Sequence, residues 1–202
     1  KIGIKKTVDN AADLFSEGDL LLENKRHARA CTLYQLSLEE LGKSRLLFSI
    51  IIDRKLDKNI NFKKLNSDFM FHQSKSQNSI AYELIPLLFV AMKREGSAEE
   101  RKKAFLEHID TLRQEHELAD TLNEYKNSSL YVGLLDNKFV SPNEVTPKEL
   151  VTKLRTNALI RINASQSITK YLLDDVDKLV DDAKSMELLK KDSFDIEGDI
   201  LD

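Results

Sequence analysis

The segment that decides the fold is KRHARACTLYQLSLEELGKSRLLFSIIIDR, residues 25–54. Its apolar side chains recur at alternating steps of four and three residues, which is the spacing of one helix face. We predict a single long helix here, with a heptad-like seam suited to packing against other helices at a shallow angle. The seam consists of His27, Cys31, Tyr34, Leu38, Leu41, Arg45, Phe48 and Ile52.

The rest of the chain carries similar helical spacing and few residues that interrupt helices. Only six glycines and three prolines occur in 202 residues, and the strict alternation typical of strands is almost absent. We predict an all-α bundle of about five long helices, with one domain over residues 1–191 and an acidic, loosely held tail at 192–202. The other helices are predicted at about residues 7–23, 64–94, 97–131 and 147–190.

Local signals set the predicted ends of these helices. Pro86 should kink or interrupt the third helix, because proline lacks the backbone N–H that a helix interior uses. The sequence SAEE at 97–100 fits a capping box that opens the fourth helix. Residues 133–147 are predicted to form a loop, after which Thr146 caps the fifth helix and Pro147 is its first residue.

The composition limits the compartment and the partners. The 31 basic and 34 acidic residues give a net charge of −3, so the strongly basic footprint of a nucleic-acid binder is absent, although a local basic patch would suffice for an enzyme acting on RNA. One cysteine excludes an internal disulfide and fits a reducing compartment. No apolar stretch approaches the roughly 18–20 residues that cross a bilayer. We predict a cytoplasmic protein without a membrane partner.

Three charged residues lie inside the apolar part of the long helix. Glu39 and Lys43 are four apart and Glu40 and Lys43 are three apart, spacings of surface pairs worth roughly 0.2–0.5 kcal/mol. A helix that is apolar on most sides is buried, however, and buried charges need partners. We therefore predict that Glu40 and Lys43 join an internal cluster and that Glu39 is solvated. The surrounding apolar residues are Leu36, Leu38, Leu41, Leu46, Leu47 and Phe48.

Partners for this cluster occur at a matching position in the third helix. Lys43 precedes the polar connection at 53–62 by about ten residues, and His72 follows it by about ten. If the two helices are neighbours, His72 and Lys75 meet Glu40 and Lys43, and Gly42 allows the close approach. We predict a catalytic site of His72, Lys75, Glu40 and Lys43, in which Glu40 orients His72 or Lys75. The alternative is a buried network that only fixes helix packing.

Other chemistries find little support in the sequence. No set of cysteines and histidines has zinc spacing, no pair of Glu-x-x-His motifs suggests a di-iron bundle, and no glycine-rich phosphate loop occurs. Cys31 lies on the apolar seam, which favours a core residue over a nucleophile. We therefore predict no metal and no cofactor.

Four elements, in order, resemble the AbiV family of abortive-infection proteins in the HEPN superfamily. They are NAADLF (10–15), RHARACTLYQLSLEELGK (26–43), FHQSK (71–75) and NEYKNSSLYV (123–132). The resemblance covers roughly residues 8–170. It implies an all-α dimer of bacterial phage defence that arrests growth or translation, and HEPN relatives are often metal-independent ribonucleases. The family pattern carries over onto Glu39, Glu40, Gly42, Lys43, His72, Lys75 and Tyr131.

The resemblance also suggests residues that contact RNA. HEPN ribonucleases carry an arginine followed four to six residues later by a histidine, and Arg101 and His108 have six residues between them. The family often has an arginine just before its LYV element, where this chain has Lys126. We predict Arg101, His108 and Lys126 as RNA-binding residues. The alternative for Arg101 is an ordinary surface residue.

Three functions remain open on the sequence. The first is a homodimeric defence effector that arrests growth or translation, with metal-independent RNA cleavage as its chemistry. The second is a non-catalytic interaction protein that binds a phage-encoded partner and inhibits the translation machinery. The third is an antitoxin-like or nucleotide-binding helical module. The homodimer is predicted because the seam and the apolar segment 84–92 exceed the needs of one bundle.

Overall fold

A computed structural model describes residues 1–83, 97, 100, 103, 106, 119–174 and 176–177. Within these ranges the chain is almost entirely helical, and the prediction of an all-α protein is confirmed. The elements are α1 (Ile2–Glu23), α2 (His27–Lys55), α3 (Phe62–Met70), α4 (His72–Ser79), α5 (Ala119–Ser128), β1 (Gly133–Leu135), β2 (Lys138–Val140), α6 (Pro142–Val145) and α7 (Lys148–Asp174). None of the described helices is long and apolar enough to cross a membrane.

The long helix predicted at 25–54 is α2, and it begins two residues late because Lys25 adopts a positive φ of 59°. The middle of its predicted seam is buried, as the spacing required. There it packs against α1 and α7, which together with α2 form the centre of the bundle. The larger core cluster contains Ala30, Cys31, Tyr34, Leu38, Val151, Leu154 and Ala158.

The third predicted helix is interrupted earlier than expected. Phe71 has extended backbone angles (φ −81°, ψ 125°), so α3 ends at Met70 and α4 begins at His72. The prediction of one continuous helix from residue 64 is therefore wrong. Because of this break, His72 lies at the first position of α4. Pro86 and the segment 84–92 lie outside the described residues.

The predicted loop at 133–147 contains a short hairpin and a short helix, so the prediction of a loop throughout this segment is wrong. Leu134 pairs with Phe139 across an antiparallel hairpin, and Asp136 and Asn137 have φ of 48° and 61°, which fits a type I′ turn. The predicted start of the last helix is also wrong, because α7 begins at Lys148 and Thr146 is instead the C-cap of α6, where its hydroxyl donates to the Pro142 carbonyl.

Other predicted boundaries have mixed outcomes. The capping box at 97–100 is present, with Ser97 and Glu100 exchanging backbone-to-side-chain hydrogen bonds. The helix predicted to end at 131 ends at Ser128. The tail at 192–202 and the end of the last predicted helix lie outside the described residues.

Candidate functional site

The centre of the candidate site is Glu39, a carboxylate in the middle of α2 that is only 2% exposed. Three cationic or ionisable side chains converge on it. His72 Nδ1 lies 2.6 Å from its Oε2, Lys126 Nζ lies 2.9 Å from its Oε1, and Lys75 Nζ lies 3.3 Å from Oε2. Three helices, α2, α4 and α5, therefore meet at one carboxylate. We call Glu39, His72, Lys75 and Lys126 the Glu39 cluster.

The charges of this cluster account for the ionisation of Glu39. Burial by itself raises the pKa of the Glu39 carboxyl, since the charged form loses its water. Hydrogen bonds from His72 and Lys126, together with the charges of Lys126 and Lys75, outweigh burial and hold the pKa below its ordinary value. Glu39 is therefore a carboxylate at neutral pH. With two buried lysines against one carboxylate, the cluster carries excess positive charge.

A second buried face of α2 explains how Glu39 reaches this position. Gln35, Glu39, Gly42 and Leu46 are buried at steps of four, three and four residues, beside the apolar seam. Gly42 is required on this face, because a Cβ there would lie 1.8 Å from the Lys75 carbonyl oxygen. The missing side chain lets the backbone of α4 approach α2, as the sequence predicted.

Glu39 and Glu40 have the opposite positions to those predicted. Glu39, expected to be solvated, is the buried centre of the cluster. Glu40, expected to orient His72 or Lys75, instead forms an i,i+3 pair of 2.5 Å with Lys43, in which both side chains are partly exposed. The hydrophobic seam could not reveal the burial of Glu39, because the second buried face of α2 consists largely of polar and small residues. The glycine three positions after Glu39 was the signal that pointed to it.

His72 is the most accessible member of the Glu39 cluster, with a side chain that is 48% exposed. Its Nδ1 contacts the carboxylate, and within the described part of the chain its Nε2 makes no hydrogen bond. A carboxylate at Nδ1 fixes the ring orientation and the tautomer that has its proton there. The opposite nitrogen can then accept a proton from a bound molecule.

The lysines of the cluster are far less accessible than His72. Lys75 and Lys126 each have a residue exposure of 6%. Lys126, which was predicted to bind RNA, directs its ammonium group to Glu39 inside the bundle, and its contact with RNA stays a prediction. Arg101 and His108, the other predicted RNA-binding residues, lie outside the described residues. Tyr131, part of the family pattern, is exposed.

A second buried ion pair adjoins the cluster. Arg161 on α7 donates to Glu83 through Nε at 2.5 Å and to Ser79 Oγ through Nη1 at 2.8 Å. Cys31 lies in the apolar core, where burial raises the pKa of its thiol to about 11, as suits a core residue. In the described ranges, no three side chains of His, Cys, Asp or Glu are grouped as a metal site would need.

Comparison with known proteins identifies the family. No curated protein and no solved structure gives a significant match. A family model for AbiV, HEPN_AbiV, matches residues 1–161, which include α1 to α6, the Glu39 cluster and the first part of α7. The chain therefore belongs to the AbiV family of HEPN proteins.

Proposed function

We propose that this protein is an abortive-infection effector that arrests growth or translation during phage infection by cleaving RNA without a metal. Membership in the AbiV family suggests the defence role. The observation that carries the chemical part is the contact between the partly exposed His72 and the buried Glu39. A phage-encoded activator and a homodimeric state belong to the same proposal.

His72 can perform the proton transfers that RNA cleavage requires. Its Nε2 takes the proton of a ribose 2′-hydroxyl, and the 2′-oxygen attacks the adjacent phosphorus. The bond from phosphorus to the 5′-oxygen breaks, and the proton on His72 passes to that leaving oxygen. The products are a 2′,3′-cyclic phosphate and a 5′-hydroxyl end. No water, metal or redox partner is consumed.

The other members of the cluster support His72 in this scheme. Glu39 orients the ring and stabilises the imidazolium that forms, which is the role first assigned to Glu40. Lys75 and Lys126 keep Glu39 ionised and give the site positive potential toward a phosphate. Lys43 is more accessible than either lysine and can approach the phosphate from the surface.

The test is cleavage of total RNA by the purified protein in EDTA, with and without lysate from phage-infected cells as activator. We expect the wild type to produce 2′,3′-cyclic phosphate ends and His72→Ala to lose at least about 100-fold in rate, which is the usual contribution of a general acid–base. His72 is half exposed, so this variant should stay folded.

The matched control is His27→Ala. His27 is a half-buried histidine of the same helix as Glu39, bonded at 3.1 Å to the Asn143 carbonyl, and it lies 12 residues, or about 18 Å, away along the helix axis. This control should cleave RNA at the wild-type rate. Equal rates for wild type and His72→Ala, or intact RNA in every sample including the activated one, would contradict the enzymatic proposal.

The second candidate is an interaction protein without catalysis that binds a phage protein and inhibits the translation machinery. The burial of Lys75 and Lys126 favours this candidate, because a buried network of charged side chains can have the fixing of helix packing as its sole role. In that case His72→Ala would keep growth arrest in infected cells with no RNA fragments in any sample. Under the enzymatic proposal, arrest and fragments disappear together.

A further inference from the structure

A small cavity lies one helical turn from the Glu39 cluster. Its walls come from α2, α4, α5, α7 and the residue that follows α4, and it has about 10 Å³ of space for the centre of a water molecule. Gln35 precedes Glu39 by one turn on α2, and Leu122 precedes Lys126 by one turn on α5. The lining residues are Gln35, Leu38, Ser76, Gln77, Ile80, Leu122 and Arg161.

Gln35 is the unusual member of this lining. It is 1% exposed, and among the residues that the structure describes neither its amide nitrogen nor its amide oxygen has a hydrogen-bond partner. Buried amides without partners are rare in folded proteins, because the group gives up its bonds to water and receives none in return. The Gln35 amide therefore needs a polar partner, and the cavity that its side chain lines is a place where one can bind.

The size and chemistry of the cavity select that partner. Roughly 10–15 Å³ of such space holds one water molecule, and this cavity is at that limit, so a larger ligand does not fit. A buried water needs two to four polar neighbours. Ser76, Gln77 and Arg161 line the same space as Gln35 and are polar. An apolar guest would leave the amide unpaired.

We infer that the cavity beside Gln35 is a binding site for one ordered water molecule, which bridges the α2 amide to polar groups of α4 or α7. The water joins the Arg161–Glu83–Ser79 group to the face of α2 that carries Glu39. It is an integral part of the bundle beneath the Glu39 cluster. This inference does not depend on RNA cleavage.

The experiment combines a high-resolution crystal structure with magnetic relaxation dispersion of water oxygen-17, which counts long-lived internal waters in solution. We expect one density peak at about 2.7–3.2 Å from the Gln35 amide. Gln35→Met removes both polar atoms while keeping a side chain of similar length. We expect this variant to lose the peak and one long-lived water relative to the wild type.

Gln73→Met is the matched control, because Gln73 is an exposed glutamine on the adjoining helix α4. It should keep the peak and the wild-type count of internal waters. An empty cavity in the wild type, a Gln35 amide bonded directly to another protein group, or an unchanged count in a folded Gln35→Met would each overturn the inference.

Discussion

At the scale of single residues, Glu39 is the side chain on which the charge balance of the Glu39 cluster depends. Glu39→Gln keeps the shape of the side chain but removes the charge that compensates Lys75 and Lys126, both of which are buried. Removing one partner of a buried ion pair leaves an uncompensated charge and typically costs about 3–5 kcal/mol. We expect a loss of that order in the free energy of unfolding, measured by urea denaturation at pH 7.

The neighbouring glutamate provides the control for this prediction. Glu40→Gln removes the same charge one residue further along α2, where the partly exposed Lys43 is the carboxylate's partner among the described residues. Pairs of this kind contribute about 0–1 kcal/mol, so the variant should unfold close to the wild type. If Glu40→Gln lost as much stability as Glu39→Gln, the assignment of Glu39 as the buried centre would be wrong.

The pH dependence of stability is a separate prediction at this scale. His72, Lys126 and Lys75 hold the pKa of Glu39 below its ordinary value of 4.5 in the folded protein, against the opposing effect of burial. The unfolded chain therefore takes up the proton first as the pH falls. The contribution of Glu39 is fully present above pH 4.5 and is lost as the pH falls through the folded-state pKa.

Urea denaturation of wild type and Glu39→Gln between pH 7 and pH 3 measures this contribution. Asp19 also has a lowered pKa, because Arg155 donates to it, so both proteins should lose stability in acid. The difference between their unfolding free energies should shrink below pH 4.5. A difference that stayed constant over this range would show that Glu39 does not titrate as the cluster requires.

At the scale of secondary-structure elements, the contact between α2 and α4 depends on Gly42. An alanine Cβ at this position would lie 1.8 Å from the backbone oxygen of Lys75, so α4 would have to move. Overpacking of this kind typically costs about 1–3 kcal/mol. We expect Gly42→Ala to lower the melting temperature by several degrees and to change the NMR signals of the His72 ring, because α4 carries that residue.

Gly3→Ala is the matched control, a glycine-to-alanine change in another helix. Within the described part of the chain, its new Cβ would meet only the tip of the flexible Leu47 side chain, at 3.1 Å. Alanine is also the better helix former, by roughly 0.5–1 kcal/mol, so this variant should be as stable as the wild type or slightly more stable. A Gly42→Ala protein that behaved like this control would exclude the close helix contact.

The elements also show which features a single sequence can reveal. Apolar spacing located α2 to within two residues and identified the seam that packs against α1 and α7. It could not locate the second buried face of α2, where Gln35 and Glu39 are polar. The hairpin was missed because its apolar side chains are exposed. The alternation of apolar and polar residues that marks a strand arises when one face of the strand is buried, and neither strand here has a buried face. Its Asp136-Asn137 turn was the available signal.

At the scale of the whole molecule, the sequence predicted only those contacts of the site that join helices adjacent along the chain. His72 and Lys75 were placed near the charged part of α2 by counting residues from one short connection. Lys126 was not placed near α2, because its contact with Glu39 joins residues 87 positions apart. No local sequence pattern specifies which distant helix completes a bundle. The break at Phe71, which sets the position of His72, has no proline or glycine beside it that could have predicted it from the sequence.

The homodimer is the remaining prediction at this scale, and a different surface now supports it. The middle of the α2 seam, on which the dimer was predicted, is buried within one chain, whereas the hairpin is exposed. Exposed clustered apolar groups typically form interfaces, so we expect light scattering to give twice the 23.2 kDa chain mass. Leu135→Ser with Phe139→Ser, on the hairpin, should give a monomer. Leu159→Ser with Ile160→Ser, on α7, should leave a dimer. A monomeric wild type would exclude the dimer, and a dimeric hairpin variant would exclude this surface as its interface.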